Sequence, residues 1–266
     1  MGRTQWIAAA VATALLVFTY VACPVRPAEV TERDLDQRPT ATTGLESLIR
    51  AARGELSPTE IATLARLETE LDALDETADP QPILEQLAGE WYRAGHPSIS
   101  GIYARRIAEQ VNTEDAWSIT GTTFNICLKK EGQDDRTRQF CAAQAEQAYQ
   151  AAISLNPDNP DNRINLAVSY TDFPPQDNPM KGILLLRELV EDYPDNPRVY
   201  LTLAQLAMRT NQFERAAERL ETALDLAPDS PDVVCNLARV YETLKRASEA
   251  QPLVERCREL VEAQGG

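Results

Sequence analysis

Residues 197–230 read PRVYLTLAQLAMRTNQFERAAERLETALDLAPDS. Large apolar residues alternate in this stretch with alanines, as at Leu203 and Ala204 and again at Leu220 and Ala223. Two antiparallel helices can approach closely only where small side chains face each other, while larger side chains fill the grooves beside the contact. A proline at position 228 then ends the second helix. The stretch therefore predicts one helical hairpin.

The phrase that closes this hairpin occurs three times, as PDNP at 157–160, PDNP at 194–197 and PDSP at 228–231, so that the copies are 37 and 34 residues apart. The first proline cannot continue a helix, the short polar residues can cap the next helix, and the second proline suits a first helical position. A phrase that recurs at this period between helical segments indicates a stack of hairpins, each of which buries its apolar face against its neighbours.

The hairpin at 197–230 resembles a tetratricopeptide repeat. The resemblance is carried by Tyr200, Leu203, Ala204, Phe213, Ala216, Leu220, Ala223 and Pro228. Similar patterns precede and follow it, and they give an all-α chain with a TPR-type helical-hairpin solenoid of about five repeats. The predicted repeats are 81–114, 115–159 with an extended hairpin, 160–196 with a long turn, 197–230, and 231–266.

Residues 6–23 contain no charged residue and, as a helix, would span roughly 27 Å, close to the hydrocarbon core of a bilayer. We therefore expect a single N-terminal transmembrane helix within 1–23. Arg3 and the amino terminus precede it, which favours repeats on the periplasmic side of a bacterial inner membrane. Two alternatives stay open, namely a cleaved signal peptide and a lipoprotein anchored through Cys23, because Val21-Ala22-Cys23 resembles the end of a lipobox.

The stretch 24–43 is rich in proline, threonine and charge and is predicted to be a flexible tether. Residues 44–80 are predicted to form N-terminal capping helices that pack on the first repeat. Ser57-Pro58-Thr59-Glu60 has the spacing of a capping box before an apolar periodic run. In the last repeat, Ser248 and Gln251 have the same spacing and predict the start of the final helix.

Four of the five cysteines fall in two predicted hairpins. Cys127 and Cys141 lie about equally far from one turn, and Cys235 and Cys257 lie about equally far from another. Residues equidistant from the turn of an antiparallel hairpin lie at the same height. We therefore predict the disulfides Cys127–Cys141 and Cys235–Cys257, which would suit an oxidising compartment. The alternative is that these cysteines serve only as small apolar residues.

The net charge of −15 opposes binding to nucleic acid or anionic lipid. The single histidine, His96, falls in a predicted turn without a candidate nucleophile or metal ligand nearby in sequence. The sequence also lacks the motifs of common hydrolases, nucleotide-binding enzymes, redox enzymes and zinc sites. We therefore predict no enzymatic activity, no metal and no cofactor.

The resemblance implies a binding face formed by the first helix of each hairpin, on which members of the family bind peptides or partner helices. Carried onto this chain, the inward positions are Asn165, Val168, Arg198, Thr202, Gln205, Arg209, Asn236 and Arg239. A second candidate surface is the long turn with Phe173, Pro174, Pro175 and Met180.

The predicted function is that of a non-catalytic, membrane-tethered adaptor that binds another protein in the cell envelope. One alternative is a structural scaffold that self-associates into a homo-oligomer. The other is an outer-membrane-type lipoprotein that carries the same repeats.

Overall fold

The computed structural model describes residues 41–75, 77–130, 132 and 134–265, and the predicted membrane segment at 6–23 lies outside them. The chain divides into two compact units, Met1–Gly54 and Glu55–Gly266. The first unit contributes one described helix, α1 (Ala41–Arg53), which begins inside the stretch predicted to be a tether.

The second unit consists of helices that follow one another through short turns. Over the part of the chain that the structure describes there are eleven: α2 (Pro58–Asp72), α3 (Gln81–Arg93), α4 (Pro97–Val111), α5 (Glu114–Lys129), α6 (Asp135–Leu155), α7 (Pro160–Asp172), α8 (Lys181–Asp192), α9 (Pro197–Arg209), α10 (Phe213–Leu226), α11 (Pro231–Thr243) and α12 (Ala247–Gly265). The described residues contain no strand. The all-helical expectation is therefore confirmed.

Each helix from α2 to α11 packs on the helix that follows it in sequence. The pairs α3–α4, α5–α6, α7–α8, α9–α10 and α11–α12 form five helical hairpins. From α5 onward the first helices of successive hairpins also contact one another directly, α5 with α7, α7 with α9 and α9 with α11. These first helices therefore share one side of the stack, which we call the first-helix face.

The recurring turn phrase begins three of the helices. Asn159 and Asn196 are N-cap residues, and each side chain accepts a hydrogen bond from the backbone N–H two residues later. The second proline of each phrase is the first residue of its helix. Ser230 occupies the N-cap position without a side-chain cap hydrogen bond. The predicted capping box is confirmed, because the backbone N–H of Ser57 donates to the Glu60 carboxylate and the N–H of Glu60 donates to the Ser57 hydroxyl.

Small buried residues lie where the helices cross, as predicted. Ala204, Ala216 and Ala223 are fully buried and pack in one cluster with Leu220 and Leu237. The extended hairpin has long helices, since α5 has 16 residues and α6 has 21. The next hairpin differs in its turn, which runs from 173 to 180. None of the described helices is long and apolar enough to cross a membrane.

Both predicted disulfides are present. Cys127 and Cys141 are completely buried and join the last turn of α5 to the second turn of α6. Cys235 and Cys257 join α11 to α12. Each bridge therefore joins the two helices of one hairpin. Packing between different hairpins depends on side-chain contacts.

Candidate functional site

The eight residues predicted to line the binding face lie on α7, α9 and α11. Four of them, Val168, Thr202, Gln205 and Arg209, line one cleft of about 480 Å³. Thr202 is buried, and its hydroxyl donates to a backbone carbonyl of its own helix, so it contributes the floor of the cleft. Gln205 and Arg209 are exposed and extend into the opening.

Three basic side chains surround this cleft, which we call the basic cleft. Lys129 comes from the end of α5, Arg138 from the first turn of α6 and Arg209 from the last turn of α9. The only carboxylate among the described lining residues is Asp172, at the end of α7. Three positive charges and one negative charge leave a net charge of about +2 at the cleft when each side chain has its usual charge.

Asp172 holds the basic side chains together. Its side chain is only 7% exposed, and its Oδ1 accepts a hydrogen bond from Arg209 Nη1 at 2.6 Å. Lys129 Nζ lies 3.8 Å from Oδ2, and Arg138 Nη2 donates to the Asp172 backbone carbonyl at 3.2 Å. Lys129 and Arg209 nevertheless remain 59% and 57% exposed. The cleft therefore presents fixed cations to solvent.

Asn165 and Arg198, two further predicted residues, take part in internal contacts. Arg198 Nη2 donates to Asn165 Oδ1 at 2.6 Å, and Arg198 Nη1 lies 2.6 Å from Asp161 Oδ1. The backbone carbonyl of Asn165 accepts from the Asn125 amide. These contacts join α5, α7 and α9, so both residues stabilise the stack as well as lying on the face.

The same Asn125 amide donates to the Tyr149 hydroxyl at 3.0 Å. Burial raises the pKa of Tyr149 to about 12, although its hydrogen bonds to Thr122 and Asn125 and the charge of Arg198 act in the opposite direction. A neutral phenol is therefore maintained in the core at any physiological pH, and the tyrosine is a structural residue.

The last two predicted residues of the face lie on α11. Asn236 is half-buried, and its amide donates to the carbonyl of Asp232 one turn earlier. Arg239 is exposed. Neither residue lines the basic cleft.

The long turn is partly covered by the extended hairpin. The Arg138 guanidinium lies 5.6 Å from the centre of the Phe173 ring, and Phe173 and Pro175 are half-buried. Pro174 and Met180 are exposed. Arg138 thus anchors the start of the turn and lines the basic cleft at the same time.

A second cleft, of about 580 Å³, lies on the first two repeats and was not predicted from the sequence. It is lined by residues of α3, α4 and α5, and its floor includes Ala88, Gly89 and Ala104. Tyr92 and Ile119, which are 49% and 62% exposed, stand on its sides. We call it the apolar cleft. The available signal was Ile119 itself, a bulky apolar residue of α5 that lies apart from the buried residues Gly121 and Phe124.

Several residues of the basic cleft were also not predicted from the sequence. The predicted face began at the third repeat, so it omitted Lys129 and Arg138 of the second. Among residues 41–75, 77–130, 132 and 134–265 no group of three or more histidine, cysteine, aspartate or glutamate side chains could hold a metal ion. The two clefts are lined by charged, polar and apolar side chains.

Residues 201–256 match the family model for the tetratricopeptide repeat. Over 211 residues the chain is 24% identical to cellulose synthase operon protein C of Pseudomonas fluorescens (strain SBW25). That alignment covers 75% of this chain and 16% of the relative, so the chain spans about one sixth of that protein. The fold is thus an all-helical TPR-like solenoid.

Two solved structures also show similarity to this chain. MamA (41-end) from Desulfovibrio magneticus RS-1 is 15% identical, with a TM-score of 0.43 over 71% of this chain and 99% of that chain. MamA of AMB-1 is 20% identical, with a TM-score of 0.38 over 68% of this chain and 92% of that chain.

Proposed function

We propose that this chain is a non-catalytic scaffold whose first-helix face binds a segment of another protein. The observation that carries the proposal is the convergence of α5, α7 and α9 on one open cleft, where exposed cations lie beside apolar and amide side chains. A stack of hairpins presents such a surface without needing any residue to react. The match to the tetratricopeptide repeat supports the same class of function.

The test is photo-crosslinking in intact cells of the source organism. A benzoylphenylalanine at Gln205, which lies in the basic cleft, should form an adduct with one other protein. The same residue at Glu188, exposed on the second helix α8, is the control and should not. Equal adducts from both positions would show that the face is not the binding surface. Adducts only with a second copy would replace the adaptor by the self-associating scaffold.

We further propose that residues 6–23 tether the protein to a bacterial inner membrane with the repeats in the periplasm. The uncharged run of 18 residues after Arg3 supports this placement, and the two disulfides suit an oxidising compartment. A C-terminal alkaline phosphatase fusion should be active and should remain with the membrane fraction. Labelling with palmitate that is lost in Cys23→Ser would support the lipoprotein alternative, and an inactive fusion would contradict both.

A further inference from the structure

The apolar cleft and the basic cleft are connected by α5. Ile119 lines the apolar cleft and Lys129 lines the basic cleft, ten residues later on the same helix. At a rise of 1.5 Å per residue, the two positions are about 15 Å apart along the helix. An extended chain covers this distance in about five residues. One short segment can therefore reach both clefts.

The two clefts differ in charge. The basic cleft holds Lys129, Arg138 and Arg209 around one nearly buried aspartate. The charged residues among the described lining of the apolar cleft are Glu85 and Asp115, both acidic. A carboxylate is therefore attracted to the basic cleft and repelled from the apolar cleft. These three cations lie together although the chain as a whole has more acidic than basic residues, 41 against 26.

The basic cleft retains donors for a bound anion. Arg209 donates one N–H to Asp172, whereas a guanidinium has five N–H donors. Lys129 Nζ is 3.8 Å from the same carboxylate, beyond hydrogen-bond distance, and its three N–H groups can turn toward a ligand. Asp172 restricts the positions of both cations before a ligand binds. Binding therefore loses less side-chain entropy than it would if both cations moved freely.

We propose that the occupant is an extended segment of a partner protein that carries a bulky apolar side chain and an acidic side chain about five residues apart. The apolar side chain enters the apolar cleft beside Ile119, and the carboxylate binds Lys129 and Arg209. This inference rests on the proposed function and specifies the chemistry of the ligand.

The first test is selection of random twelve-residue peptides on phage, with the full-length chain as bait. The selected peptides should share an aspartate or glutamate four to six residues from a leucine, isoleucine, phenylalanine or tryptophan. Selection of a consensus without an acidic residue would overturn this inference and leave the proposed function standing. Failure to select any peptide above background would overturn both.

The second test measures fluorescence anisotropy with the labelled consensus peptide. Lys129→Glu should weaken binding at least about tenfold, because it replaces a charge-assisted contact by a repulsion. Arg187→Glu is the matched control: Arg187 is exposed on α8 and lines neither cleft, so affinity should not change. Ile119→Ser tests the apolar cleft and should also weaken binding.

A neutralised peptide separates a direct contact from a change in the fold. When the acidic residue of the consensus is replaced by its amide, wild type and Lys129→Glu should bind it equally. An equal loss for the acidic and the neutral peptide would show that Lys129 does not contact the carboxylate. Arg209→Gln provides a second variant, and circular dichroism checks that both variants are folded.

Discussion

At the residue scale, one carboxylate joins two successive repeats. Glu114, the first residue of α5, accepts hydrogen bonds from the side-chain amides of Asn156, Asn159 and Asn162 at 2.6–2.8 Å. All three asparagines lie in or beside the PDNP turn that starts α7, and Asn162 is almost completely buried. The turn phrase at 157–160 therefore also connects one hairpin to the next through hydrogen bonds.

Glu114→Gln should lower the free energy of unfolding by about 1–3 kcal/mol, because an amide cannot accept three hydrogen bonds from three other amides in place of a carboxylate. The measurement is urea denaturation. Asp115→Asn is the control, since Asp115 also lies in the first turn of α5 and is exposed. Equal losses of stability in the two variants would indicate that Glu114 acts only through its interaction with the helix dipole.

His96 makes stability depend on pH. It occupies the N-cap position of α4 without a side-chain cap hydrogen bond, is 9% exposed and lies edge-on against Trp91. Burial lowers its pKa, Lys130 lowers it further, and Glu55 and Glu60 act in the opposite direction. The unfolded chain therefore takes up the proton first, so the stability that the neutral ring provides is lost as pH falls from about 6.5 through the lower folded pKa.

We expect wild type to lose more stability than His96→Gln between pH 7.5 and pH 5.5, as measured by urea denaturation at each pH. The carboxylates are common to both proteins, so their titration cancels in the comparison. Identical pH dependence in the two proteins would show that His96 does not titrate differently on folding.

The residue scale also shows what local sequence can predict. The turn phrase predicted Asn159 as a cap, because capping involves neighbours two residues away. Its bond to Glu114, 45 residues earlier, depends on how two hairpins stack and had no local signal.

At the element scale, a glycine sets the approach of α7 and α8. A Cβ at Gly182 would lie 2.5 Å from the backbone oxygen of Ala167 and 2.6 Å from a methyl group of Thr171. Gly182→Ala should therefore destabilise the protein by about 1–3 kcal/mol, because the helix backbone cannot move aside cheaply. Gly89→Ala is the control and should stabilise by about 0.5–1 kcal/mol, since its Cβ would meet only Arg93 at 3.7 Å. Thermal unfolding measures both, and a neutral Gly182→Ala would contradict the close approach.

The bridge in the extended hairpin fixes two cations of the basic cleft. Lys129 follows Cys127 by two residues and Arg138 precedes Cys141 by three. Replacing both cysteines by serine should cost about 2–4 kcal/mol of stability and also weaken binding of the acidic peptide. The matched variant without Cys235 and Cys257 should lose stability but keep its affinity. If both double variants bind like wild type, the bridge does not position the cleft.

Local signals predicted most of the elements. Each proline-containing turn phrase ended one helix and started another where expected. The final helix was an exception, because it begins at Ala247 rather than after a cap at Ser248, and it carries Pro252 in its interior. The cap was predicted two residues too late, because the first turn closes on the Arg246 carbonyl, which accepts hydrogen bonds from the backbone N–H groups of Glu249 and Ala250.

At the scale of the whole molecule, packing runs almost entirely between neighbours in sequence. Such a stack has no single central core, so its stability varies along its length. Hydrogen exchange should be fastest in α2 and α12, at the two ends of the described stack, and slowest in α5 and α7, which contact each other as well as their neighbours. Uniform protection across all helices would indicate one cooperative unit instead.

The first-helix face illustrates the limit of prediction at this scale. The repeat pattern assigned Gln205 and Arg209 to this face, and both line the basic cleft. It could not show that Lys129, Arg138 and Asp172 meet them, because these residues come from three other helices and their convergence depends on the angles between repeats.

The basic cleft lies within a chain of net charge −15. Because salt screens charges beyond about 8 Å at physiological ionic strength, the local cations dominate only close to the cleft, and the acidic surroundings dominate along any longer anion. We therefore expect a single carboxylate between neutral residues to enter the cleft, and a nucleic acid or a sulfated polysaccharide to be repelled by the net negative charge along the rest of its length. A cationic cleft on a neutral protein would bind such polyanions without this discrimination.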